Sequence, residues 1–143
     1  TTGIWQTVWL EAVNKTHIEK VRFTPDIDNG DITVEFDIFG EYVNKVLELE
    51  ITFKGEVVAH ETLKVLEPYM KTSINLYNQK IFRTGYHDAG WNWSPENPNL
   101  FDVNILLKNQ ELVVDEIYSY FGMRKIHTDN GMVYLNNKPY YQK

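Results

Sequence analysis

The fold turns on the stretch Trp93-Ser94-Pro95-Glu96-Asn97-Pro98-Asn99-Leu100-Phe101-Asp102-Val103. Its two prolines fix φ and remove two backbone donors, so neither sits inside a central strand. Directly after them the pattern alternates, with Phe101, Val103, Ile105 and Leu107 on one side and Asp102, Asn104 and Lys108 mostly on the other. This spacing predicts a rigid turn that feeds a half-buried strand.

The same alternation recurs on both sides of this turn. His17 to Phe23 turns inward at Val21 and Phe23 and ends at Thr24-Pro25-Asp26. Asp28-Asn29-Gly30-Asp31 reads as a hairpin turn, because Asn and Gly accept φ > 0 at low cost. Asp31 to Gly40 places Ile32, Val34, Phe36 and Ile38 inside, and Lys45 to Lys54 does the same with Leu47, Leu49, Ile51 and Phe53. Val57 to Leu66 reads as an edge strand, and Met70, Thr72, Ile74 and Leu76 form the next. Beyond Lys108 one long strand is expected from Val113 to Thr128, then a turn at Asp129-Asn130-Gly131 and a short closing hairpin. No segment has a 3.6-residue apolar period, so no helix is predicted. About seven antiparallel strands with turns between them argue an all-β, immunoglobulin-like β-sandwich over 13–128. Residues 3–12 read as a strand apolar on both faces, and such a strand is normally buried on both.

Composition narrows the function classes. Folding 143 residues buries roughly 68–70% of the unfolded surface, enough for a core without staples. With no cysteine, disulfides, thiolate zinc sites and cysteine nucleophiles are excluded. A net charge of −6 with 14 scattered Lys and Arg residues repels a nucleic-acid backbone. No apolar run approaches the ~20 residues of a membrane helix. The compartment is left open. The chain begins Thr1-Thr2-Gly3, without initiator Met or leader, as expected of a piece cut from something longer or of processed ends.

Candidate chemistry is sparse. Asp26, Asp28 and Asp31 resemble a calcium loop in composition but lack its ligand spacing and closing Glu, so turn capping is expected. Glu48 and Glu50 fall on an outward face. Tyr86-His87-Asp88 is the best local acid–base group, with no nucleophile beside it. Trp91 and Trp93 have flat faces of the kind that stack on sugar rings; the competing reading is that they cover the open end of the sandwich or lie in an interface. No catalytic residue, metal ligand or cofactor is expected.

Four segments together resemble glycoside hydrolase family 2, the β-galactosidases and β-glucuronidases. Gly3 to Glu11 resembles the closing strand of that family's N-terminal sugar-binding jelly roll. Trp93 to Val103 resembles its W-S-P-E-x-P-x-L-Y-x-V segment, with Phe101 in place of Tyr. Tyr120-Phe121-Gly122-Met123-Arg124-Lys125-Ile126 resembles its F-G-x-R strand, and Tyr134-Leu135-Asn136-Asn137-Lys138-Pro139 its L-N-G-K-P hairpin, with Asn137 for Gly. The resemblance implies a non-catalytic linker sandwich of a retaining β-glycosidase. Residues 1–12 would close a preceding jelly roll, 13–128 form the sandwich, and 129–143 lead into a (β/α)8 barrel that holds both catalytic glutamates. Those two flanking domains are the implied partners. Trp93, Pro95, Pro98, Arg124, Tyr140 and Tyr141 are the expected contacts to them, with Arg124 using its fork of donors at the barrel seam. The alternatives are a carbohydrate-binding module built on Trp91, Trp93 and Tyr86, or an adhesin-type immunoglobulin repeat. A 3–12 strand without its parent sheet should pair with this domain's edge, associate with another molecule, or lie out as an arm.

Overall fold

A computed structural model describes residues 7, 8, 10–78 and 90–141. Seven strands form the sandwich: β1 (His17–Asp26), β2 (Asp31–Phe39), β3 (Lys45–Phe53), β4 (Glu56–Lys64), β5 (Tyr69–Asn75), β6 (Phe101–Asn109) and β7 (Leu112–Phe121). They divide into sheets of order β1-β2-β5 and β4-β3-β6-β7, and every pairing is antiparallel. The fourth strand thus pairs with the third rather than the fifth, a three-plus-four variant of the immunoglobulin plan. A third sheet, β8 (Ile126–Asp129), β9 (Met132–Leu135) and β10 (Lys138–Pro139), is a separate meander in the order β10-β9-β8.

The core follows from the alternation. Ile32, Val34 and Phe36 of one sheet and Leu47, Leu49, Ile51, Phe53, Phe101, Ile105 and Leu107 of the other are fully buried. They belong to one apolar cluster between the sheets. Phe101 stacks on Phe53 at 4.6 Å and on Phe121 at 5.0 Å between ring centroids. Such ring pairs add about 0.5–1.5 kcal/mol each beyond area burial. The first residue of β6, just beyond the two-proline turn, is therefore an anchor of the core.

Turn chemistry sets the register. Gly30, at φ +75°, sits where a Cβ would fall 2.1 Å from the Tyr77 ring, so only glycine fits. Asp26 caps this hairpin by accepting the amides of Asp28 and Asn29 and the Asn29 side chain. The Asn29 side-chain bond, first among these, holds the Asp26 carboxyl below its ordinary pKa. Asp26 is thus the turn cap, whereas Asp31 Oδ1 accepts from the Asn75 side chain at 2.6 Å and Asp28 accepts from Lys125 and Asn137 outside the turn.

Two bulges join the sheets at their edges. One interrupts β1 between Ile18 and Lys20, the other β6–β7 between Leu107 and Lys108. At this seam the Ile18 amide donates to Asp115 Oδ2 at 2.8 Å, and the Asn14 side chain donates to the Val114 carbonyl. His17, buried beside them, bonds the Asn14 carbonyl through Nδ1 and Glu19 through Nε2 at 2.7 Å.

Two expectations are corrected. The single strand from Val113 to Thr128 is two strands in different sheets, because the Met123 carbonyl is taken by the Trp93 amide at 2.9 Å and the chain leaves the ladder after Phe121. The strand over 3–12 lies partly outside the described residues. Its described part, Thr7, Val8 and Leu10–Ala12, is exposed and in no strand. Among the described residues, Asn14 is the first whose side chain is tied to the sandwich.

Candidate interdomain joint

Three of the four quoted sequence segments meet at one end of the sandwich. The proline turn is closed on itself: the Ser94 amide donates to the Asn97 carbonyl at 2.9 Å, and the Asn97 amide returns to Ser94 at 3.1 Å. Asn99 reaches back to the Gly90 carbonyl at 2.8 Å. These bonds fix where Trp93 enters and where Phe101 leaves. Gly122 then lies against Trp93 so closely that a Cβ there would stand 2.9 Å from the Trp93 Cβ. Contact at that range leaves no room for any other residue without movement.

Asn136 ties the three together. Its side-chain amide donates to the Trp93 carbonyl at 2.9 Å, and its Oδ1 accepts the Lys125 amide at 3.0 Å. Its own amide donates to the Lys125 carbonyl at 2.8 Å. Asn136 and Asn137 are at φ +52° and +64°, as a two-residue hairpin between β9 and β10 requires. Asn visits this region at lower cost than other non-glycine residues, so one residue type serves both the turn and the knot.

Charged tethers seat the meander on the sandwich. Asp28, in the β1–β2 turn, accepts from Lys125 Nζ at 2.5 Å and from Asn137 Nδ2 at 2.7 Å. The Lys125 bond, then the Asn137 bond, hold its carboxyl below the usual pKa. Tyr140 donates its hydroxyl to Glu96 Oε1 at 3.1 Å. Glu96 is lowered first by its own backbone amide, then by Ser94 and Tyr140. Leu135 is buried beneath the hairpin.

Beside this knot the surface is apolar and open. A groove of about 430 Å³ is lined by Phe23, Pro25, Trp93, Leu100, Tyr120 and Arg124 among others. Tyr120 is 65% exposed. The Arg124 guanidinium lies 5.0 Å from the centre of the Trp93 ring, a cation–π arrangement.

Five of the six residues picked out from the sequence lie around this knot. Trp93 and Arg124 touch, Pro95 and Pro98 belong to the closed turn, and Tyr140 reaches that turn through Glu96. Tyr141 follows, 85% exposed. Arg124 lies between β7 and β8, outside any ladder, so it is not half of a cross-strand pair. Trp91 differs from its expected neighbour: it is buried in the core cluster and packs edge-on against Tyr77 at 5.2 Å. Its face is not offered to a sugar, which removes it from any binding platform. Tyr86, His87 and Asp88 lie outside the described residues.

Asp28, Asn136 and Gly122 were not singled out as joint residues. A duplicated Asn in a hairpin hints at positive φ. Nothing local marks the side-chain partners, which stand 43 and 97 residues away.

The sequence pattern of glycosyl hydrolases family 2 matches residues 16–124. The chain belongs to this family. Among its relatives, a β-galactosidase of Thermoanaerobacter pseudethanolicus is 27% identical over 96% of this chain, which covers 18% of that protein. A putative β-glucuronidase of Formosa agariphila is 26% identical over 95% of the chain, covering 16% of its own length. The apo structure of a β-glucuronidase from Ruminococcus gnavus superposes over 90% of the chain with a TM-score of 0.61 at 19% identity, covering 19% of that structure. This last likeness concerns the fold. The chain thus spans less than a fifth of the length of each of these three proteins.

Proposed function

We propose that the chain is a non-catalytic linker of a family 2 glycosidase, one that hydrolyses O-glycosidic bonds with retention in the manner of a β-galactosidase. In this reading residues 1–12 belong to a preceding jelly roll, 13–128 are the linker, and 129–143 lead into a catalytic barrel. The single observation that carries the reading is the convergence of the proline turn, the Gly122–Lys125 segment and the Asn136–Asn137 hairpin on one hydrogen-bonded knot. Such a knot fixes the direction in which the chain leaves the sandwich. Direction matters to a site assembled from several domains, because displacing catalytic groups by about 1 Å costs about 10²-fold in rate.

Trp93, Pro95, Pro98, Arg124, Tyr140 and Tyr141 are assigned as contacts to the flanking domains. Open aromatic and arginine surface suits such a role, since these residue types bury large area and bond at their tips. Arg124, whose guanidinium lies 5.0 Å from the centre of the Trp93 ring, has donors suited to carbonyls or a carboxylate across the seam.

Two measurements test this. The purified chain is assayed on nitrophenyl β-galactoside and β-glucuronide; hydrolysis above buffer that persists through successive purification steps overturns the non-catalytic reading. Hydroxyl-radical footprinting then compares this chain with a polypeptide extended to the length of the relatives. Trp93, Tyr140 and Tyr141 are expected to be protected in the longer form; equal oxidation in both refutes their assignment as contacts.

A further inference from the structure

Where the chain enters the sandwich, one buried histidine faces two acceptors. His17 Nδ1 stands 2.8 Å from the Asn14 carbonyl oxygen, and its Nε2 stands 2.7 Å from Glu19 Oε2. A carbonyl and an ionised carboxylate only accept, so both ring nitrogens have to donate, which the imidazolium alone can do. The charged groups acting on the ring are Glu19 on its own strand and Asp115 on β7, both acidic and both favouring the cation. From β2 the ring meets Phe39, at 5.3 Å between centroids.

The ring belongs to a clasp of several segments. The Ile18 amide is taken by Asp115, the Asn14 side chain donates to the Val114 carbonyl, and the Glu41 amide donates to Thr16 Oγ1 at 3.0 Å. The described residues before Asn14 are exposed, and the bond from His17 is the one that holds the Asn14 backbone. A neutral ring has one proton for two acceptors. The carboxylate is the stronger acceptor, so the proton stays on Nε2 and Nδ1 turns a lone pair toward the Asn14 carbonyl. We propose that His17 is a proton-operated latch on the N-terminal segment, fixing the Asn14 backbone as the imidazolium and releasing it as the neutral ring. The bond to Glu19, against the opposing effect of burial, sets the ring's pKa above its ordinary 6.5. The latch is therefore closed below that value and opens as pH rises through the higher folded one. That the segment it holds arrives from a preceding domain rests on the linker reading; the latch itself does not.

The test is NMR of the isotopically labelled chain between about pH 5 and 9. At the acid end both ring nitrogens of His17 should carry protons, and at the alkaline end only Nε2. The Asn14 carbonyl shift should follow the same titration. Exchange of the Ile18 amide, corrected for its intrinsic pH dependence, should quicken about tenfold across it. Glu19→Gln should move the whole transition to lower pH. His17→Phe keeps a ring beside Phe39 but gives no proton, so it should abolish the pH dependence of the Asn14 carbonyl shift. A ring nitrogen without a proton at the acid end, a neutral form protonated on Nδ1, or an Asn14 carbonyl shift that ignores the titration overturns the proposal. Should His17→Phe fail to fold, Glu19→Gln decides: a transition left where it was refutes the latch.

Discussion

Replacing Asn136 separates the two duties that meet in it. Asn136→Ala removes the donor to Trp93 O and the acceptor for Lys125 N, at about 1 kcal/mol each when the partners are part-buried. It also places alanine at φ +52°, where a Cβ costs roughly 1–2 kcal/mol. The expected loss is therefore about 3–4 kcal/mol. Asn136→Gly loses the same two bonds but accepts the backbone angle, so about 2 kcal/mol is expected. The assay is urea unfolding followed by tryptophan fluorescence, with hydrogen exchange of the Lys125 amide as a local readout. Losing about 2 kcal/mol of protection speeds that exchange roughly 30-fold. Equal midpoints for the alanine and glycine variants would remove the backbone contribution. A loss below about 1 kcal/mol with unchanged Lys125 exchange refutes the claim that Asn136 holds the three segments together.

Other outcomes follow from the same geometry. Gly122→Ala drives a Cβ to 2.9 Å from that of Trp93 and should cost about 1–3 kcal/mol, read as a lowered urea midpoint. Phe101→Ala empties the centre of the Phe53–Phe101–Phe121 stack and should lower stability by about 3–5 kcal/mol, read by calorimetry. His17 has its pKa raised, chiefly by the bond to Glu19. Its contribution is therefore full below its unfolded value of about 6.5 and is lost as pH rises through the higher folded value. Glu19→Gln should flatten the urea midpoint between about pH 6 and 8; an unchanged pH profile counts against it. Asp28 has the opposite sign: its lowered pKa gives a contribution present at neutral pH and lost on acidification through the folded value. Asp28→Asn should remove that acid dependence from Lys125 amide exchange.

The strands were legible because period-two alternation is local. Each of β2, β3 and β6 has an inward set that can be read residue by residue, and Asn-Gly turns announce their own backbone angles. Exceptions arose where a distant group intervened. The stretch from Val113 to Thr128 reads as one strand, since its residues all tolerate extended backbone. Only the Trp93 amide, arriving from another segment, takes the Met123 carbonyl and breaks the ladder. Trp91 and Trp93 look equivalent in a glycine-rich loop, yet one ring is in the core and the other under Arg124. No local rule separates them, because the partners that distinguish them, Tyr77 beside Trp91 and Arg124 beside Trp93, come from other segments.

The amino-acid sequence by itself determined the all-β class, the inward face of the core strands, the turn positions and the motifs that mark glycosyl hydrolases family 2. These depend on alternation and on backbone preferences carried by single residues. Tertiary structure alone decided that the fourth strand joins the third, that the closing meander is a separate sheet, and that Asp28, Asn136 and Gly122 make the joint. Each of those outcomes rests on hydrogen bonds or close packing between residues far apart in the chain, whose energies exist only after the intervening loops have closed.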